Sequence, residues 1–507
     1  MTLLSGIAPR LASLALLVAA GVIPLCAQDP ESVNDAIRMA YSVPPELASD
    51  ALLRIAESHV LRDTGKAVEL ISDAFQMASG AKFPYKLSLT GRGIQGGDSR
   101  ITALTNTYQL GLDAFSLKCR AVIAMLPLDK AKARDLFGRI PPLRIGPYAC
   151  KDVLLPDVAM YYTAALMIAQ DGFSASEAAK GEPTRFVDSV LRAMTSIRQA
   201  EPAAFMIIAL KPNADDLSVL ATAYAGALGA IDISDRAFDI PFSLNERIGE
   251  LAAMCAKAGV PADGLVRAYR AVLARHFSDA RCADNLAWGR SKEATDAEAD
   301  PVARVFNSSK LRHAPFTSED LPALSDEETT PRSVITELAD AHAYWSTPET
   351  SALYRQLMRL WLDENDGPRP LEARKTSAWQ SDVIDLIASM NAWQPDSSVN
   401  VSDYFNQKCY LYEPLIESLP PGSLREQLIA AYVGYLSRAA IQQESPAEWF
   451  RAARNLLKGV ESSSAKEAAA SSRQGQDVDA ILAEFERSGS LVLSLYRKLE
   501  KLLPAQK

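Results

Sequence analysis

The chain has 507 residues, with 53 Lys and Arg against 62 Asp and Glu and a formal net charge of −9. Phosphate binding needs cationic side chains massed on one face, and no such run exists outside short mixed-charge segments, so nucleic acid is disfavoured as a partner. A hydrophobic share of 48 % over this length suits a folded globular protein with roughly two to four cores.

Arg10 precedes an uncharged, mostly apolar run from Leu11 to Leu25, and small Ala27 then leads into Gln28-Asp29-Pro30. This pattern predicts a secretory signal peptide over 1–27, cleaved between Ala27 and Gln28, and hence an exported (periplasmic or extracellular) protein. The run is shorter than the ~20 residues of a bilayer span, and no later segment reaches that length. Cys26 is a poor lipid-anchor site because Leu25 stands where a small residue is needed. Five cysteines follow the cleavage point: Cys119, Cys150, Cys255, Cys282 and Cys409. Proximity makes Cys119 with Cys150 and Cys255 with Cys282 the simplest disulfides, and buried free thiols are the equal alternative.

The hydrophobic period is helical nearly throughout. Ala48, Ala51, Leu52, Ile55, Ala56 and His59 form one stripe and Ala67, Leu70, Ile71, Ala74, Phe75 and Ala78 another, with Arg62-Asp63-Thr64-Gly65 as the turn between them. Asp98-Ser99, Asp113 and Asp129 each open a further helix, and Pro141-Pro142 stops the last of these. More helices are predicted near 158–169, 184–199, 203–210, 215–231, 244–258 and 262–277, with no convincing strand alternation. The polar segment 291–333 reads as a linker between an N-terminal helical-repeat domain (28–290) and a C-terminal helical domain (334–507). All six tryptophans lie between Trp288 and Trp449, which implies a second kind of core. The stretch 462–476 is of low complexity. It precedes an amphipathic helix with Val478, Ile481, Leu482, Phe485, Val492, Tyr496 and Leu499 on one stripe, expected to dock on the body.

The stretch Lys66-Ala67-Val68-Glu69-Leu70-Ile71-Ser72-Asp73-Ala74 resembles the second helix of a tetratricopeptide-type repeat, and Ala131 to Phe137 has a similar character. The resemblance is clearest over 45–140. It implies an irregular α-solenoid of stacked antiparallel helical hairpins whose concave face binds other chains.

Motifs of chemistry are sparse. Gly91 to Gly97 has the spacing of a dinucleotide loop but lacks the βαβ context, so it reads as an inter-helix loop. Asp363 to Gly367 falls one residue short of a calcium loop. His276, Asp279 and Cys282 share a helical face, and Asp340 sits near His342 and Glu337; neither group has the geometry of a metal or nucleophile site. Ser463 to Lys466 matches Ser-x-x-Lys by chance, and Asn307 and Asn400 begin glycosylation sequons. The Pro-rich loop 140–156, with Tyr148 and Asp152, is the one candidate binding loop. No catalytic, cofactor or metal residues are assigned. The expected function is protein binding or scaffolding without catalysis; the alternative is an all-α hydrolase or lyase whose acid and base are carboxylates assembled by the fold.

Overall fold

The computed structural model describes residues 30–58, 60, 61, 63–89, 99–141, 143, 145, 154–232, 242–275, 277, 301–309, 311, 314–320, 345, 347–361, 376–395, 400–419, 422–439, 445–467, 485 and 491–503. Residues 1–29, with the expected signal cleavage between Ala27 and Gln28, lie outside them. The described residues form an all-α fold.

The N-terminal half runs α1 (Pro30–Ala40), α2 (Pro45–Glu57), α3 (Thr64–Met77), α4 (Ser99–Tyr108), α5 (Ala114–Met125), α6 (Lys130–Gly138), α7 (Ala159–Asp171), α8 (Ala175–Ala178) and α9 (Glu182–Arg192). It continues through α10 (Ala200–Leu210), α11 (Ala214–Ala230), α12 (Phe242–Lys257), α13 (Asp263–Arg275) and α14 (Pro301–Asn307). After these come α15 (Pro348–Trp361), α16 (Ser377–Ala392), α17 (Val401–Ser418), α18 (Ser423–Ala439), α19 (Pro446–Glu467) and α20 (Leu491–Leu502).

Helix starts follow the expected chemistry. Asp63 accepts the Gly65 amide at 2.8 Å, Asp113 the Ser116 amide at 2.8 Å and Asp129 the Lys132 amide at 2.9 Å. Each bond satisfies a donor that the first helical turn leaves without an intrahelical partner, typically a gain of ~1 kcal/mol. The turn before α3 is therefore capped by Asp63, with Thr64 already inside the helix.

Packing alternates along the chain. Helix α3 packs on α5, α5 on α7, α7 on α9, α9 on α11 and α11 on α13, while α10 packs on α12 and α12 on α14. Small residues at the contacts, including the buried Ala51, Ala74, Ala121, Ala165 and Ala204, allow close approach of neighbouring helices. Aromatic rings bridge successive helices: Phe115 and Phe137 both stack on Tyr161, with centroids 5.9 and 4.8 Å away.

The chain then returns to its beginning. Helix α17 packs on α4, α19 on α2 and α4, and α20 on α1 and α2. The expected docking is observed for the later part of the predicted stripe: α20 buries Val492, Leu493, Leu495, Tyr496 and Leu499, and Phe485 is buried, while Val478, Ile481 and Leu482 lie outside the described residues. The Tyr496 hydroxyl donates to Asp50 at 2.6 Å, and Asp50 also accepts from Arg54 at 2.7 Å and Arg120 at 2.5 Å. A second ion pair joins Lys498 to Asp35.

Four details depart from the sequence expectations. The helix expected over 184–199 ends at Arg192, because Ser196 and Gln199 form a capping box that starts a new 3₁₀ turn at Ile197. A two-stranded antiparallel ladder pairs β1 (Leu87–Leu89) with β2 (Leu154–Pro156), so the Pro-rich loop 140–156 ends as a strand. Within 291–333, α14 buries Ala303 and Phe306, and Phe316 packs edge-on to Phe306 at 5.1 Å, so part of the expected linker belongs to a core. Helix α19 runs to Glu467 and takes in Ser463 to Lys466.

Candidate functional site

Four helix ends meet in the C-terminal part: the last turns of α16 and α18 and the first turns of α17 and α19. They enclose a cavity of about 330 Å³ lined by residues from 391 to 449. Along α17 the residues Tyr404, Lys408 and Tyr412 recur at i, i+4 and i+8, which places them on one face toward the cavity. Helix α18 contributes Tyr435 and Arg438, and the start of α19 contributes Ser445, Glu448 and Trp449.

Lys408 is only 3 % exposed. Its ammonium donates to the Met390 carbonyl oxygen. The rings of Trp393, Tyr404 and Tyr435 stand 5.2, 5.5 and 5.6 Å from Nζ. These π faces offset part of the loss of hydration. Burial lowers the amine to about 8, and the nearby Arg438 guanidinium adds to the shift. The rings are themselves anchored, since the Tyr404 hydroxyl donates to the Trp393 carbonyl at 3.1 Å and the Tyr412 hydroxyl to Asn391 Oδ1 at 2.6 Å. Burial pushes the Tyr412 phenol up to about 12, so it stays protonated at neutral pH and keeps its hydrogen bond to Asn391.

Glu448 is 1 % exposed. The Ser402 hydroxyl lies 2.8 Å from both of its carboxylate oxygens, and Asn406 Nδ2 donates to Oε1 at 2.7 Å. In sequence, Ser445-Pro446-Ala447-Glu448 is a capping box for α19. Tertiary structure redirects it: Glu448 turns to α17, and the buried Ser445 Oγ is left without a hydrogen-bond partner.

A second charged cluster, Asp50 with Arg54, Arg120, Glu57 and Tyr496, is saturated by its own members. Arg120 bridges Asp50 and Glu57 across two helices. The cluster ties α20 to α2 and α5 through the Asp50 carboxylate.

Tyr148, Asp152, Cys150 and Cys282 lie outside the described residues, as do His276, Asp279, Glu337, Asp340, His342 and the segments 91–97 and 363–367. Cys119 and Cys255, named above as disulfide candidates, are free and buried, as is Cys409. Burial holds all three thiols above their ordinary value. The sequon asparagines are engaged in the fold: Asn307 holds the Phe316 backbone by bonds of 2.7 and 2.9 Å, and Asn400 caps α17. Among the described residues no group of three or more His, Cys, Asp or Glu is placed to hold a metal, and no helix is long and apolar enough to cross a membrane.

Sequence reasoning missed the cavity. The available signals were a lysine inside the aromatic-rich stretch Tyr404 to Tyr412 and an acidic residue in a cap position. Both are ordinary helical features until four helix ends converge. No family model, curated protein or solved structure matches the chain.

Proposed function

We propose that this protein works by binding: an exported, tetratricopeptide-like stack of helical hairpins that serves as a scaffold for another exported chain. The observation that carries the reading is the alternate packing of the odd-numbered helices from α3 to α13, continued by α10 on α12 and α12 on α14. Stacks of this kind present extended surfaces made from successive repeats. On the α7, α10, α12 side, Met160 is 39 % and Phe205 43 % exposed, with the Arg247 guanidinium 5.2 Å over the Phe205 ring. Large apolar side chains beside a cation suit recognition of a polypeptide.

Site-specific photocrosslinking tests this. A benzoylphenylalanine in place of Phe205 yields discrete adducts with one exported protein, whereas the same group at exposed Asp382 on α16 does not. Equal labelling at the two positions removes the reading. Sequencing of the mature N-terminus tests export, with Gln28 as the expected first residue.

A second reading, a hydrolase or lyase built on carboxylates, is favoured by one observation: the buried Glu448 beside the Ser402 hydroxyl in the cavity wall.

A further inference from the structure

Among the described residues, the cavity between α16, α17, α18 and α19 is lined by unequal charge. Its lining carries two cations, Lys408 and Arg438, and one anion, Glu448. Glu448 is already held by Ser402 and Asn406. Among the described residues no carboxylate pairs with Lys408, whose ammonium is buried with only a carbonyl oxygen and ring faces for company. A buried ammonium without a counter-ion is costly, and so are two cations facing one cavity. Both costs fall if an anion enters.

The walls define the rest of the ligand. Tyr404, Phe405, Tyr412, Tyr435 and Trp449 line the space, and their π faces suit a flat apolar body. A cavity of about 330 Å³ lies at the small end of the range for organic ligands. It admits a ring with one or two substituents and excludes a folded peptide segment. The buried hydroxyl of Ser445, which has no partner, is free to donate to an anionic oxygen. Glu448 is placed to accept a ligand hydroxyl or amine.

We propose that this cavity binds a compact aromatic monocarboxylate, its carboxylate shared by Lys408 and Arg438 and its ring packed among the tyrosines. The site is independent of the scaffold reading, which rests on the opposite half of the chain. No covalent step is involved. Lys408 and Arg438 supply charge, Ser445 a hydrogen bond, and the ring walls dispersion contacts and the exclusion of water.

Isothermal titration of the full mature chain with benzoate, 4-hydroxybenzoate, 4-hydroxybenzamide and inorganic phosphate tests the proposal. Saturable one-to-one binding is expected for the two acids, tighter for 4-hydroxybenzoate because its phenol reaches Glu448. The amide, isosteric but uncharged, binds at least about tenfold more weakly. Lys408→Met and Arg438→Met each weaken the acids by about tenfold or more and the amide much less, while Lys408→Arg restores part of the acid affinity. Circular dichroism melts establish that each variant is folded. Equal affinity for the acid and its amide, insensitivity to Lys408→Met in a folded variant, or the absence of any carboxylate binding would overturn the proposal. Phosphate binding as tight as benzoate would also overturn it, since the ring walls would then contribute nothing. Loss of the Phe205 crosslink with carboxylate binding intact removes only the scaffold reading, and the reverse removes only this one.

Discussion

Lys408 and Asp50 are buried charges with opposite solutions. Asp50 is 3 % exposed; burial pushes its carboxyl up, but Arg54 and Arg120 outweigh it and hold it below its ordinary value of 3.8. A depressed carboxylate stabilises the fold above the unfolded value and loses that contribution as pH falls through the folded one. Asp50→Asn therefore costs about 3 kcal/mol at pH 7, and the difference in urea unfolding free energy from wild type shrinks below pH 3.8. Lys408 runs the other way. Its amine is lowered from 10.5 to about 8, so between those values the unfolded chain binds more protons and the native state gains stability as pH rises. Lys408→Met is expected to be more stable than wild type at pH 7, by on the order of 3 kcal/mol at most. That advantage disappears toward pH 10.5, as thermal melts across the range would show.

At the scale of elements, the helix starts were legible because a cap is a local device: one side chain and an amide two or three residues on. Helix α10 ends on Lys211, a non-glycine residue in the left-handed region at φ 51°. A β-carbon there costs roughly 1 kcal/mol, and glycine has no such penalty. Lys211→Gly should therefore raise stability by at most about 0.5 kcal/mol after the extra entropy of unfolded glycine is counted, read as a slightly higher urea midpoint with unchanged slope. The helix expected over 184–199 failed at the same scale. Apolar period continued across Thr195-Ser196, but the Gln199 side chain takes both of their amides, at 2.7 and 3.0 Å, and that interrupts the helix.

For the whole molecule, the return of α17, α19 and α20 to the first helices is the main feature of the architecture. Removing residues 491 to 507 strips the apolar cover from α1 and α2 and leaves Asp50 without its Tyr496 partner. The truncated chain is expected to melt at lower temperature. In hydrogen exchange, protection falls in α1 and α2 first and persists in α11 and α13, which pack on each other far from the cut. Uniform loss of protection would show instead that the two ends unfold as one unit. Sequence by itself determined the helical class, the helices from α2 to α13 apart from α8 and the end of α9, and the amphipathic stripe of α20, since periodicity and capping act within about one or two turns. Tertiary structure alone decided the rest: that Asp50 would meet Tyr496, 446 residues away, and that Glu448 would leave its own cap for Ser402 and Asn406. It also decided that Lys408 would face a cavity rather than water. These contacts join residues far apart in the chain, and each depends on how helix faces pack, which a local pattern does not encode.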